Sequence, residues 1–198
     1  MKLLYTPRSP YARKVRVIAI EKGIELELVG EDLVNKSPGL LKANPLGKIP
    51  ALILDDGQSV FDSPVICEYL DSFKAKPALI PKDPRRRLAV LTLAAAADGL
   101  MDVTVAMFME KTRHPKDFNA AFIAANEAAV KRCFAYFDGN PEQFNELNIA
   151  SIGLASAIGY LNFRMPRLWS SADHPRLARW YEEFSRRSSM RETIPKEK

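Results

Sequence analysis

The sequence predicts an α/β domain followed by an all-α domain, and three features of the chain indicate this. Short apolar runs alternate with helical patterns as far as about residue 73. Three prolines then fall within eight residues, starting at Pro77, which is typical of a linker. Beyond that point the apolar residues recur at helical spacing, and no convincing strand is found. We therefore expect domains at residues 1–76 and 84–198, joined by a linker at residues 77–83.

Four short strands are expected in the first domain, because apolar and β-branched residues form runs bounded by turn residues. These runs lie at residues 2–5, 25–29, 51–54 and 59–61. The turn Asp55-Asp56-Gly57 joins the last two strands as a hairpin. Strands that alternate with helices imply some parallel pairing, and the hairpin adds an antiparallel edge. The pattern predicts a four-stranded mixed sheet with helices on both faces.

Each helix of the first domain begins at a Ser-Pro pair, because serine caps a helix and proline fits its first turn. The three pairs are Ser9-Pro10, Ser37-Pro38 and Ser63-Pro64. Gly23 is expected to end the first helix. In the second domain the alanines at 94–97 favour a long first helix, and three more follow. The four helices are expected at about residues 85–112, 116–137, 148–164 and 175–187.

Composition limits the class of protein. The chain has 198 residues, of which 47% are hydrophobic and 27% charged, as in ordinary soluble proteins. No apolar run reaches the roughly 18 residues that span a bilayer, and Pro7 and Arg8 interrupt the N-terminus too early for a signal peptide. The net charge of +5 favours anionic ligands, but the basic runs lack the interleaved aromatics of a single-strand binding surface. We expect a cytoplasmic protein with neither a membrane nor a nucleic acid as partner.

Neither a metal nor a bound cofactor is expected. The two cysteines, Cys67 and Cys133, form no CxxC pair, which excludes a dithiol centre and a cysteine-rich zinc site. Cys67 lies in an apolar helical run and is expected to be a buried hydrophobe. His114 and His174 each precede a proline between helices, so neither resembles a metal ligand or a general base.

Ile49 and Pro50 form the first part of a candidate site. Proline pushes the residue before it into an extended conformation. If the bond is cis, the backbone groups of Ile49 face outward and offer a strand-like edge to a peptide ligand. If the bond is trans, Pro50 merely begins a strand, and the residues alone leave both alternatives open. Lys48 adds a cation beside this edge.

Asp62 and Ser63 form the second part. Pro64 at the first helical position makes Ser63 the expected N-cap. Free N–H groups at a helix start bind a carboxylate, and Asp62 beside them could bind an ammonium group. A capped helix is certainly part of the interpretation. The pair also suits the α-amino-acid end of a ligand.

Ser9 forms the third part. It should cap the first helix, and its hydroxyl could donate a hydrogen bond to an anion at that helix start. A thiol bound there would ionise more readily, because the helix dipole and the hydroxyl both favour a thiolate. The chain has no GxSxG motif and no suitably placed histidine. Ser9 is therefore expected to be a hydrogen-bond donor and not a nucleophile.

Together these segments resemble the glutathione transferase superfamily, over nearly the whole chain and most closely its bacterial serine-type members. The resemblance rests on SPYARKV (9–15), NPLGKIP (44–50), FDSP (61–64), the proline-rich linker and ADGLMD (97–102). It implies a thioredoxin-like N-terminal domain, an all-α helical C-terminal domain and a homodimer. It also implies an enzyme that activates glutathione, its co-substrate, for thiolate attack on a hydrophobic electrophile. The alternative is a non-catalytic binding protein of the same fold.

The resemblance gives each candidate residue a role. Ser9 would stabilise the thiolate, with Tyr5 as the alternative, because some classes use a tyrosine near the end of the first strand. The glutathione-binding residues would act as follows: Ile49, before a cis Pro50, pairs with the cysteinyl backbone, Lys48 contacts an anionic group, and Asp62 and Ser63 hold the γ-glutamyl end. A thiol-disulfide oxidoreductase is disfavoured, because Ser9 stands where a reactive cysteine would be needed.

The second substrate is less well specified. Apolar and cationic side chains near the presumed thiolate are candidates for lining its pocket, although such residues at helical spacing are also typical of a core. The candidates are Arg8, Tyr11, Met101, Val105, Met109 and Phe163. One departure from the family concerns the Ser/Thr-x-x-Asp cap of the central helix in the second domain. Here Asn148 and Ser151 take those places, so the reciprocal carboxylate is lost.

Overall fold

The structure is a computed structural model that describes residues 1–74 and 76–197. Ala75 and Lys198, which fall in the predicted first and second domains, lie outside the described residues. The first domain has the expected order of strands and helices. Its elements are β1 (Lys2–Tyr5), α1 (Pro10–Glu21), β2 (Glu27–Gly30), α2 (Pro38–Ala43), β3 (Ala51–Ile53), β4 (Ser59–Val60) and α3 (Ser63–Phe73).

The four strands form one mixed sheet in the order β2-β1-β3-β4. β1 is parallel to β2, whereas β3 is antiparallel to both of its neighbours. Leu3 points into the main hydrophobic core with residues of α1 and α3. Leu4, on the opposite face of the strand, packs against Leu40 and Ala43 of α2. Successive residues of a strand face opposite sides, so the prediction of a mixed sheet with helices on both faces is confirmed.

The second domain is helical, as predicted. Its elements are α4 (Pro84–Arg113), α5 (Ala120–Gly139), α6 (Ile149–Arg164), α7 (Pro175–Phe184) and α8 (Ser188–Glu192). The last predicted helix was expected to continue to Arg187, but it ends at Phe184 and a separate α8 follows. Short 3-10 turns at Pro141–Phe144 and Pro166–Leu168 were also not predicted. Helical spacing does not reveal such one-turn interruptions, because the apolar pattern continues across them.

α6 lies at the centre of the helical domain, and every residue from Ile149 to Leu161 is buried. Asn148 caps it by accepting hydrogen bonds from the N–H groups of Ala150 (2.9 Å) and Ser151 (3.0 Å). The Ser151 hydroxyl accepts in turn from the Asn148 N–H at 3.0 Å. The carboxylate is absent, but the reciprocal bond is kept because a serine at this position reaches the same N–H group.

The two domains are joined by buried polar contacts. Lys22 of α1 is fully buried and donates to the Asp71 carboxylate of α3 and to the Pro77 carbonyl, both at 2.6 Å. The same carboxylate accepts from the backbone N–H groups of Leu79 and Ile80, at 2.9 and 3.0 Å. The residues of the predicted linker are therefore anchored to the first domain at one aspartate.

α4 is more apolar than expected. Among the described residues, this one helix is long enough and apolar enough to span a membrane by length and composition, with a mean hydropathy of 1.7 over its best 18 residues. Such helices also form the cores of soluble proteins. Leu93, Ala97 and Leu100 of α4 belong to the main hydrophobic core. This packing gives α4 the position of a core helix.

Candidate active site

Ser9 caps α1 and lies at the helix start. Its backbone is extended, and its hydroxyl accepts a hydrogen bond from the Ala12 N–H at 3.2 Å. The residue is 8% exposed, and its own N–H donates to the Thr6 carbonyl at 3.2 Å. In the described part of the chain the Ser9 hydroxyl donates to no acceptor. Its hydrogen is thus available to an anion at the positive end of the helix dipole.

Ser37 provides an internal comparison, because it caps α2 in the same way. Its hydroxyl accepts from the Leu40 N–H at 3.0 Å. Unlike Ser9, it also donates its hydrogen to the Glu31 carboxylate at 2.9 Å. A capping serine can therefore use its donor within the protein, and Ser9 does not.

Tyr5 is the last residue of β1, and its ring is half-buried. The guanidinium of Arg16 lies over that ring, 5.2 Å from its centroid. Arg16 also donates to the carbonyl of Glu192 in α8, at 3.3 Å. These contacts connect Tyr5 to the packing of α1 and α8.

The Ile49-Pro50 peptide bond is cis. β3 begins immediately after it, at Ala51, which pairs with Leu4 of β1. Within the described residues no backbone hydrogen bond to another part of the main chain is made by Ile49. Its backbone groups are therefore free to pair with an added extended peptide.

Asn44 organises the loop that leads to this bond, and the sequence analysis did not identify it. The side chain is 3% exposed and donates to the Lys48 carbonyl at 2.9 Å. Its carbonyl oxygen accepts from the Leu46 N–H at 3.0 Å. Asparagine before a turn proline is a known signal for this local bonding. Lys48 itself is exposed, so its charge is accessible to a ligand.

The cap of α3 differs from the prediction. Asp62, not Ser63, is the N-cap, and its carboxylate accepts from the Ser63 N–H. The helix begins one residue earlier than expected, because the carboxylate satisfies an N–H at its positive end. Asp62 is exposed, whereas Ser63 is 1% exposed. The accessible anion of this pair is therefore Asp62.

Tyr11 and Arg8 lie at the start of α1, near Ser9 in the chain. The Tyr11 hydroxyl donates to the Asp102 carboxylate of α4 at 2.5 Å. Burial, followed by this contact, raises the pKa of Tyr11 well above its usual range. Arg8 is half-exposed and lies 4.0 Å from the Glu197 carboxylate of the C-terminal tail.

The other second-substrate candidates are dispersed. Met101 is fully buried and belongs to the hydrophobic core, which was the alternative interpretation for it. Val105 and Met109 are half-buried on α4. Phe163 of α6 has the Arg164 guanidinium 4.2 Å from its ring centroid. The structure does not bring these four residues together as one pocket.

The structure has a cavity of about 880 Å³ among α1, α6, α7 and α8 and another of about 300 Å³ between α4 and the end of α6. Neither is lined by Ser9, Lys48 or Asp62, so the candidate glutathione-binding residues lie outside both. Cys67 is 1% exposed, as predicted, and burial raises the pKa of its thiol to about 12. That thiol is therefore not a competing nucleophile at neutral pH.

Comparison with known proteins identifies the family. Residues 8–72 match the model of the glutathione S-transferase N-terminal domain. The uncharacterized GST-like protein YibF of Escherichia coli K12 is 34% identical, over 99% of this chain and 100% of that protein. A glutathione transferase family member from Pseudomonas fluorescens Pf-5, solved with bound glutathione, is 40% identical with a TM-score of 0.90 over 98% of both chains. A glutathione S-transferase from Methylobacillus flagellatus KT, also with glutathione bound, is 40% identical with a TM-score of 0.92 over 98% of this chain and 99% of the other. With a relative above 30% identity along its full length, this chain belongs to the glutathione S-transferase superfamily.

Proposed function

We propose that the protein is a glutathione transferase in which Ser9 stabilises the thiolate of bound glutathione. The observation that carries this proposal is the uncommitted hydroxyl of Ser9 at the start of α1. A free thiol titrates near 8.5, so a lowering of about two units makes most of the bound thiol nucleophilic at neutral pH. The helix dipole and the hydroxyl both act in that direction.

Three further groups support glutathione as the ligand. The outward backbone of Ile49 suits the cysteinyl peptide, which would bind as an added strand. The exposed carboxylate of Asp62 suits the ammonium of the γ-glutamyl end, and the exposed ammonium of Lys48 suits a carboxylate. Binding by these groups would hold the sulfur beside Ser9, and such positioning is a large part of catalysis.

The reaction would be a substitution or addition by sulfur. With an aryl chloride, the S–H proton leaves to solvent, a sulfur–carbon bond forms, the carbon–chlorine bond breaks and chloride departs. Ser9 donates a hydrogen bond throughout and is not itself modified. Stabilisation of the thiolate lowers its intrinsic reactivity somewhat, but the larger ionised fraction at neutral pH outweighs this.

The test compares Ser9→Ala with the wild type and with Tyr5→Phe, using glutathione and 1-chloro-2,4-dinitrobenzene. We expect Ser9→Ala to lower kcat/KM by roughly a hundredfold and to move the thiol pKa in the pH profile back towards about 8.5. Tyr5→Phe should change neither by more than about twofold, because its hydroxyl is assigned no role. Equal activity of Ser9→Ala and wild type would contradict the proposal.

Calorimetric titration with glutathione separates the enzyme from a non-catalytic protein of the same fold. Both the wild type and Ser9→Ala should release heat, since Ser9 acts on sulfur and contributes little to holding the rest of the ligand. If the wild type binds glutathione but conjugates no electrophile, the non-catalytic alternative is correct. If it binds none, both fail.

We also propose that the protein is a homodimer. Val65 of α3 and Leu88 of α4 are 52% and 68% exposed. Arg87 pairs with Glu68 at 2.7 Å, so the first turn of α4 lies against α3 and the two apolar side chains belong to neighbouring surfaces. Exposed apolar patches mark interaction surfaces. Light scattering should give twice the chain mass, and Leu88→Glu should shift it towards the monomer, whereas a monomeric wild type would contradict the proposal.

A further inference from the structure

The larger cavity, with a volume of about 880 Å³, has the size of a ligand pocket. It lies between α6 and α7 and is closed on other sides by α1, α8 and the C-terminal tail. Phe163, Trp169, Met190 and Ile194 give it apolar walls. Among the second-substrate candidates of the sequence analysis, Phe163 alone lines it.

One wall of the cavity carries a buried cation with an incomplete set of partners. Arg13 is 4% exposed. Its Nη2 donates to the Met190 carbonyl at 3.1 Å and its Nε donates to the Thr193 hydroxyl at 3.4 Å. Its Nη1 is buried and has no hydrogen-bond partner within the described residues. A buried charge normally has an opposite charge beside it, because desolvation is costly otherwise, and here the partners are neutral oxygens.

A glycine makes room for this guanidinium. Gly159 of α6 lines the cavity, and a Cβ built on it would lie 2.0 Å from Nη1 of Arg13. Real atoms cannot approach so closely, so any other residue at 159 would displace the guanidinium. The bare backbone at this position therefore keeps Nη1 at the cavity wall.

A second buried polar atom lines the same cavity without a partner. The hydroxyl oxygen of Ser185, at the end of α7, is buried and makes no hydrogen bond in the described part of the chain. A serine hydroxyl can donate one hydrogen bond. Two unsatisfied donors on one cavity are unusual, since buried polar groups are normally paired.

The charge of the buried wall is positive. Burial lowers the pKa of Arg13, and the nearby Tyr181 hydroxyl opposes this, but a guanidinium starts far above neutral pH and stays charged. Glu182 also lines the cavity, but it pairs with Arg186 at 2.8 Å and its side chain is 72% exposed. Its carboxylate is therefore neutralised at the mouth of the cavity and does not compensate Arg13.

We propose that this cavity is a second ligand site, which binds a small aromatic carboxylate. The carboxylate accepts a hydrogen bond from Nη1 of Arg13, and the Ser185 hydroxyl supplies a further hydrogen bond to the same ligand. The aromatic body lies against Phe163 and Trp169. The site is separate from the Ser9 site and does not depend on whether the protein conjugates glutathione.

Calorimetry on the full chain tests the site with 2-naphthoate and its neutral match, 2-naphthamide. We expect 2-naphthoate to bind one site per chain at least about tenfold more tightly than the amide, because a charged hydrogen bond is lost in the amide. Saturation with S-hexylglutathione should leave that affinity unchanged. No heat with naphthoate, equal affinity for the amide, or displacement by S-hexylglutathione would each overturn the proposal.

Two variants locate the binding without removing Arg13, whose contacts to α8 also serve the fold. Ala178→Trp fills the cavity from α7 and should abolish naphthoate binding, whereas Ala124→Trp, on the exposed face of α5, should not. Ser185→Ala should weaken binding by about threefold to tenfold. Thermal unfolding confirms that each variant is folded. Unchanged binding by folded Ala178→Trp would place the ligand elsewhere and contradict the assignment.

Discussion

The start and the middle of α1 use polar side chains in opposite ways. At the start, Ser9 caps the helix and leaves its hydroxyl hydrogen for a ligand. One turn later, Arg13 and Lys14 are both 4% exposed and point into the protein. Lys14 donates to the Asp98 carboxylate of α4 at 2.6 Å, which joins the two domains. The start of this helix thus presents the candidate chemistry, and its middle holds the structure that positions it.

The comparison between the two adjacent cations is equally informative. Lys14 has a carboxylate partner, whereas Arg13 has only neutral oxygens and one free N–H group. The same helix therefore contains a completed ion pair and an incomplete one, side by side. The first is typical of a structural contact and the second of a site that a ligand completes.

The largest effect is expected from Lys14→Met. Removing the ammonium leaves Asp98, whose side chain is 22% exposed, without its cation. We expect a loss of about 3 kcal/mol in the free energy of unfolding, measured by urea denaturation. Burial already raises the pKa of Asp98, which Lys14 opposes, so the loss should be smaller at acid pH, where the carboxyl group is neutral.

The control for this prediction is the double variant Lys14→Met with Asp98→Leu. It removes both charges and should recover much of the lost stability, because no unpaired charge is left. The thiol pKa of bound glutathione should be the same in all folded forms. A changed thiol pKa with an unchanged stability would reverse the division between the start and the middle of α1.

The parts of the fold that depend on local rules could be predicted from sequence. Ser9 and Ser37 precede prolines, and both cap helices as expected. The order of strands and helices follows from the same kind of signal. Asp62 was missed as the cap of α3 because two good capping residues stand next to each other, and only the backbone decides which one takes the position.

The parts that depend on tertiary contacts could not be predicted. Arg13 resembles any charged residue on a helix, and no sequence pattern indicates that Gly159 of a distant helix makes room for it. The role of Asp71, which binds both Lys22 and the chain after α3, likewise requires the folded arrangement. Charges are normally expected on the surface, so buried ones are missed systematically.

A smaller effect is expected from removing the caps, and it separates stability from activity. Ser37→Ala and Ser9→Ala each remove one hydroxyl that accepts from a helix N–H, at 3.0 and 3.2 Å. Each should cost about 1 kcal/mol in the free energy of unfolding. Only Ser9→Ala should also lower conjugation, because the Ser37 hydroxyl donates to Glu31 and faces no ligand. Equal losses of activity in both variants would mean that Ser9 acts through stability alone.

The smallest effect is expected at the far end of α1, where Glu21 binds Arg187 through two bonds of 2.8 Å and also accepts from Ser189 of α8. Its hydrogen bond with Arg187 is the main cause that lowers the pKa of Glu21, against the opposing effect of burial. A carboxyl group with a lowered folded pKa contributes stability above its unfolded pKa, about 4.3, and loses it as the pH falls through the folded value. Glu21→Gln should therefore lower stability at pH 7 and reduce the further loss on acidification, as measured by urea midpoints at both pH values. The effect should be modest because Arg187 is partly exposed to solvent. If the variant and the wild type lose the same stability on acidification, this end of α1 is not held by the Glu21 charge, and only the middle of the helix uses buried charges to join elements.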